Sequence, residues 1–245
     1  MITLFPVFTI QSFINLALSL VTIGFGWPMV LALLDEDLKT ALLSNDTDGK
    51  LIFVIGIVVF IAGLAVPDFA FAYALVMIGM ITIEFGAFIA ASDFKTEKMF
   101  AREWAKVYMT VALTAFVVGA MSEGSLGYTA HGFLWLALPI GLASGSVYLA
   151  IMAMSSNTFK ERVLTKDLSG KKLLLIGLIT LCLAPIAYQN PAMMVSVSAL
   201  AFVWISLGGV IWMNPGWTKF VLHRWMAIVQ VLIAVALVIV ARINY

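Results

Sequence analysis

The sequence predicts an all-α polytopic membrane protein with eight transmembrane helices, arranged as two tandem parallel four-helix halves. Three observations predict it: an apolar composition, eight apolar runs separated by short polar breaks, and self-similarity at an offset of about half the chain. Of 245 residues, 63% are hydrophobic and 11% charged, with a mean hydropathy of +1.08. A soluble domain is roughly 45–50% apolar and 25% charged, and no soluble fold hides this much apolar surface. A helix needs about 20 apolar residues to cross a hydrocarbon core of about 30 Å, so the chain accommodates about eight spans with short loops and no separate soluble domain.

The apolar runs fall at 6–34, 50–66, 69–92, 103–121, 130–154, 171–188, 192–213 and 221–243. The second and third are separated only by Val66-Pro67-Asp68, and the sixth and seventh only by Gln189-Asn190-Pro191. Proline ends one helix and starts the next in such turns. The first run lacks a basic n-region and a small-residue cleavage pattern, so it reads as a retained helix rather than a signal peptide. Cys182, the single cysteine, lies inside an apolar run. It excludes an internal disulfide and a cysteine-based metal or iron–sulfur site, and reads as a small buried apolar residue.

Orientation follows from Lys and Arg, which are retained on the cytoplasmic side. Thirteen of the fourteen lie in or beside the odd-numbered connections, and only Arg242 departs from the pattern. Both termini are therefore expected outside, on the periplasmic side of a bacterial inner membrane. The net charge of +1 is spread among loops rather than gathered on one face, which argues against a nucleic-acid partner.

Compared with itself at an offset of about 120–122 residues, the chain aligns several segments. Phe13-x-x-Leu16-Ala17-Leu18 answers Phe133-x-x-Leu136-Ala137-Leu138. Gly49-Lys50 with Gly56 answers Gly170-Lys171 with Gly177. Ile83-Glu84-Phe85-Gly86 answers Ile205-Ser206-Leu207-Gly208, and Trp104 answers Trp225. The halves are thus 1–122 and 123–245. An even number of helices per half makes the repeat parallel, with its pseudo-twofold axis along the membrane normal.

Ionisable side chains within a bilayer are costly and usually kept for a reason, which singles out Glu84. It lies about 22 Å along the third helix, toward the cytoplasmic side. A proton relay, an ion or quinol site, and a hydrogen-bonded structural glutamate are the alternatives, and its counterpart in the second half is Ser206. Asp68, Glu123 and His131 are candidate substrate-binding groups at the outer face, where carboxylates and a histidine can exchange protons with a quinol or other substrate. Tyr128, Gln189 and Asn190 share that face and read as solvated turn residues, with Gln11 and Asn15 at the start of the first helix. His131 and His223 are the only histidines and fall at opposite membrane faces, which excludes bis-histidine haem and a multi-histidine metal centre. His223-Arg224-Trp225 and Arg102-Glu103-Trp104 open the last helix of each half as interface anchors. The sequence has no Walker A, dinucleotide or zinc-binding spacing, no lysine in the last helix for a retinal, and no acid–base–nucleophile group for an intramembrane hydrolase.

Eight helices, termini outside, two four-helix halves and no haem ligand resemble the quinol-interacting membrane-anchor subunits of the dimethyl sulfoxide reductase family. The opening Pro6-Val7-Phe8-Thr9-Ile10-Gln11 is similar to the way those anchors begin. Glu84 sits in the third helix, where the family has a carboxylate linked to quinol. The family's longer loop between helices 2 and 3, with its histidine, Leu-Gly-x-Pro and arginine, is absent; Pro67 and Asp68 stand there instead. The resemblance implies a hydrophobic subunit of a larger complex that anchors an electron-transfer subunit and interacts with quinol. Such a subunit carries no chemistry alone but belongs to a membrane oxidoreductase. Its partners would be other protein subunits and the bilayer, its ligands quinone or lipid, and it would hold no covalent cofactor. Two other readings stay open: a small-solute or ion transporter with a proton-linked Glu84, and a structural membrane scaffold.

Overall fold

The computed structural model of the chain describes residues 10–43, 47–66, 69–91, 98–122, 130–164, 167–213 and 215–244. Among the described residues it is 92% helical with no strand, and eight helices are long and apolar enough to cross a membrane. In chain order the helices are α1 (Ile10–Leu33), α2 (Glu36–Leu43), α3 (Thr47–Ala65), α4 (Phe69–Ala90), α5 (Trp104–Met121), α6 (Leu138–Met154), α7 (Asn157–Leu164), α8 (Asp167–Leu183), α9 (Pro191–Trp212), α10 (Pro215–Val221) and α11 (Arg224–Asn244). The eight spans are α1, α3, α4, α5, α6, α8, α9 and α11. All eight match the apolar runs.

Local chemistry explains their ends and irregularities. Asn190 caps α9 by accepting from the Met193 N–H at 3.1 Å, and Pro191 follows at the first helical position, where its missing N–H costs nothing. Pro139 has no N–H for the Trp135 carbonyl. The preceding turns widen into the π-helix Phe133–Ala137, closed by the Leu138 N–H on the Phe133 carbonyl. Buried hydroxyls donate back into their own helices, as Ser19 does to the Asn15 carbonyl, Thr82 to Ile78 and Ser196 to Ala192. In lipid that satisfies them without a partner from another helix.

The short helices α2, α7 and α10 lie inside connections that the sequence analysis treats as loops. α2 buries Leu38 and Leu42, α7 buries Phe159 and Val163, and the two pack on each other. One or two apolar residues per turn over seven or eight residues are too few to stand out beside 20-residue apolar runs.

α9 forms the centre of the bundle, packed against α6 and α1, and most of its residues from Pro191 to Ile211 are buried. Around it, α3 pairs with α4, α8 with α9, α1 with α5 and α6 with α11. Small residues set the closest approaches. A Cβ on Gly49 would lie 2.5 Å from Ala90 N, one on Gly56 2.5 Å from Ile83 N, and one on Gly86 would overlap Phe53 N. Between α8 and α9 a Cβ on Gly170 would lie 2.8 Å from Trp212 N, one on Gly177 2.8 Å from Ile205 N, and one on Gly208 2.5 Å from Leu174 N.

Two expectations are corrected. Cys182 is exposed on the outer face of α8 rather than buried, because in lipid an apolar residue is as well placed facing outward as inward. Asn190 is fully buried rather than a solvated turn residue. Its Nδ2 donates to the Gly119 carbonyl at 2.8 Å and to Ser122 Oγ at 3.2 Å, while Ser122 Oγ donates to Asn15 Oδ1 at 3.0 Å. This amide ties together the ends of α1, α5 and α9 that lie away from the basic loops.

Polar ties also join the basic-loop ends. Asp35, between α1 and α2, accepts from Lys172 Nζ at 2.6 Å and from Ser169 Oγ at 2.6 Å. The Lys172 hydrogen bond, then that of Ser169, holds the Asp35 carboxyl below the usual carboxylate range. A carboxyl with a depressed folded-state pKa stabilises the fold above its unfolded value of about 3.9, and that contribution disappears as pH falls through the lower folded value. Because the pair is half exposed, solvent screening limits Asp35→Asn to a loss of about 0.5–1 kcal/mol. Thermal unfolding in detergent is expected to show that loss at pH 7 and to show it shrinking below about pH 4. A pH-independent difference would contradict the assignment.

Candidate functional site: a carboxyl beside an aromatic cluster

Glu84 lies inside the bundle on α4, only 8% exposed. Glycine opposite it makes room for the carboxyl: a Cβ on Gly24 of α1 would lie 2.9 Å from Glu84 Oε1. Pro28, one turn further along α1, has no N–H to give the Gly24 carbonyl. The Gly24 carbonyl, in the helix turn beside Glu84, therefore lacks its usual i+4 donor. Glu84 Oε2 is buried and has no hydrogen-bond partner among the described residues.

The neighbouring side chains are aromatic. Trp27 of α1 packs edge-on to Trp204 of α9 with ring centroids 3.9 Å apart. It also meets Phe85 at 5.6 Å and Tyr148 of α6 at 6.0 Å, and Phe85 meets Tyr148 at 4.8 Å. Four helices, α1, α4, α6 and α9, thus converge on one cluster. Trp27, Glu84 and Tyr148 each lie six residues from the basic-loop end of their helix, about 9 Å at 1.5 Å per residue. They share one depth, on the basic-loop side of the helix midpoints but nearer the middle than the end.

The cluster holds several unsatisfied polar atoms. Trp27 Nε1, Trp204 Nε1 and Tyr148 Oη are buried without a hydrogen-bond partner among the described residues, as is Ser198 Oγ six residues before Trp204 on α9. Each unmade hydrogen bond in a buried site costs about 1–3 kcal/mol, so this concentration of them requires an explanation. Two indole N–H groups, a phenol and a carboxyl among ring faces can bind a small polar solute, and the carboxyl with the rings suits a cation.

The other candidates do not join this site. His131 is exposed near Trp135, with ring centroids 6.2 Å apart. It lies 17 residues before Tyr148, about 25 Å along the helix. Asp68 and Glu123 lie outside the described residues. Among the described residues no group of three or more His, Cys, Asp or Glu could hold a metal ion. Sequence reasoning missed Trp27, Tyr148, Trp204 and Ser198, which look like ordinary apolar-run residues. The available signal was register: Trp27 and Tyr148 are 121 residues apart, as are Gly24 and Gly145. No family model, curated protein or solved structure matches this chain.

Proposed function

We propose that this chain is a proton-linked transporter of a small solute, with Glu84 as the protonatable group and the Trp27, Tyr148 and Trp204 cluster as the wall of the solute site. The observation that carries the reading is a buried carboxyl oxygen inside a bilayer-spanning bundle, next in sequence to an aromatic cluster with three buried donors, none of the four atoms having a hydrogen-bond partner among the described residues. When protonated, Glu84 can donate to the Gly24 carbonyl that Pro28 leaves free; when charged, it can hold a cation or accept donors from the solute. Exchange between those partners couples proton binding to solute binding.

The two halves, 1–122 and 123–245, form the tandem parallel repeat in this reading, and matching close contacts support it. Gly49 against Ala90 recurs as Gly170 against Trp212, Gly56 against Ile83 as Gly177 against Ile205, and Gly86 against Phe53 as Gly208 against Leu174. The shift is 121 residues in the earlier helix of each pair and 122 in the later one, as a one-residue insertion in the second turn requires. Gly24 against Glu84 Oε1 likewise recurs as Gly145 against Ser206 Oγ. Serine does not titrate near neutral pH, so proton coupling resides in the first half.

Proteoliposomes containing the purified chain, screened with small cationic and neutral solutes, are expected to show solute-dependent proton movement. Proton movement that no solute changes would overturn the reading. Stoichiometric co-purification of an iron–sulfur or catalytic polypeptide in mild detergent would favour the anchor-subunit reading instead.

The orientation, with both termini periplasmic, is tested by cysteine labelling in a Cys182→Ser background. Cysteines at Asn45, Thr96 and Thr165 are expected to react only from the cytoplasmic side, and those at Asp68 and Ser125 only from outside, following the basic residues. The reverse pattern would invert the topology.

A further inference from the structure

Glu84 has no countercharge in the helices that converge near it. α1, α6 and α9 contain no Asp, Glu, Lys, Arg or His, and on α4 Glu84 is the only such residue. Tyr73 of α4 and Tyr148 of α6 are the other titratable side chains of these four helices. α2, α3 and α11 also pack against α4, and their charges lie in a basic-loop connection or near helix ends. They are Glu36, Asp37 and Lys39 of α2, Asp48 and Lys50 in the first turn of α3, and Arg224 and Arg242 at the two ends of α11. Lys39, buried among these, is engaged by Glu36 Oε1 at 2.5 Å and by the Phe100 carbonyl at 3.3 Å. None of these cations pairs with Glu84.

A lone carboxylate charge in such surroundings is costly, so the group holds a proton instead. It sheds that proton only when another positive charge takes its place. An anionic solute would add a charge that nothing in the four helices offsets, and a dication would leave one charge over. A monocation keeps the site neutral. The side chains select its chemistry. Trp27 lies one turn from Gly24 on the same face of α1, which sets its ring about a turn from the carboxyl in the Gly24 notch. Phe85, Tyr148 and Trp204 extend that ring surface, and ring faces attract an ammonium group. A bare metal ion needs a shell of oxygens, whereas Trp27 and Trp204 offer only N–H donors. Those donors and the Tyr148 hydroxyl, unpartnered among the described residues, fit an oxygen on the same solute.

We propose that the solute is a small organic monocation of the alkylammonium class, exchanged one for one with the proton on Glu84, an inference that rests on the transport reading above. As the cation binds, the Glu84 O–H bond breaks, the proton passes to water, and carboxylate and ammonium form an ion pair. No electron is transferred and no other reactant is needed. Because the site holds either the proton or the cation, the two cross the membrane in opposite directions.

The test is calorimetry of the full chain in mild detergent, in two buffers of different ionisation enthalpy, with choline and benzyltrimethylammonium as probes. Saturable binding of at least one probe is expected, with one proton released per cation. Affinity should fall about tenfold for each pH unit lowered while Glu84 is protonated. Glu84→Gln is expected to release no proton and to lose that pH dependence. Trp27→Leu should weaken binding about 2- to 30-fold, and Trp27→Phe should restore part of it. If Trp27→Leu does not fold, the proton count in Glu84→Gln decides. No saturable binding of either probe, equal binding of the uncharged choline analogue with carbon in place of nitrogen, binding of acetate, displacement by equimolar sodium, or binding without proton release would overturn the proposal. Transport is read separately in proteoliposomes. Choline binding with proton release but no choline-driven proton movement would overturn transport alone. Proton movement driven by acetate or the uncharged analogue, and not by either cation, would overturn this inference alone.

Discussion

Glu84→Gln is expected to abolish solute-coupled proton movement while leaving the fold intact. The amide keeps the size and hydrogen-bonding capacity of the carboxyl, so the notch at Gly24 stays filled and the released Gly24 carbonyl still has a donor. It cannot titrate, and proton transfer by a positioned side chain is worth about 10²–10⁴-fold in rate. Coupled flux should therefore fall by at least about 10²-fold at unchanged thermal stability, whereas Glu84→Asp retains a titrating group and should keep part of the activity. Equal flux in wild type and Glu84→Gln, at matched insertion into vesicles, would reduce Glu84 to a structural hydrogen-bonding residue. Loss of stability together with flux in Glu84→Gln, with Glu84→Asp no better, would point the same way.

The second large effect concerns the glycine seam between α3 and α4. A methyl group on Gly86 would overlap the backbone of Phe53, and backbone cannot move aside as a flexible side chain can. Gly86→Ala is expected to destabilise the fold by about 1–3 kcal/mol, the usual cost of overpacking. Gly208→Ala, which meets the Leu174 backbone, should cost a similar amount if the two hairpins are repeats. The control is Gly209→Ala, one residue away, where an added Cβ meets nothing within 4 Å. It should be neutral or stabilise by up to about 1 kcal/mol, because alanine suits a helix interior better than glycine. Unfolding of the three variants in detergent decides the matter: a Gly86→Ala variant as stable as Gly209→Ala would show that the α3–α4 approach is not close.

The number of spans and most of their ends were legible from the sequence alone. Crossing a bilayer is decided by properties local to the chain, namely some 20 apolar residues and a break. Turn chemistry is also local, so Gln189-Asn190-Pro191 announces the start of α9 before any contact is known. Glu84 stood out for the same reason, since a lone carboxylate in an apolar run needs no partner to be conspicuous. What the sequence could not decide is which way each helix faces. In water an amphipathic stripe marks the buried side, but in lipid both faces are apolar and periodicity carries little of that information. Cys182 therefore turned outward and Asn190 inward against expectation. The surroundings of Glu84 were equally hidden. Gly24 is 60 residues before it and Trp204 is 120 residues after it, and only the packing of α1, α4, α6 and α9 brings a notch, a carboxyl and three unsatisfied donors to one depth in the membrane.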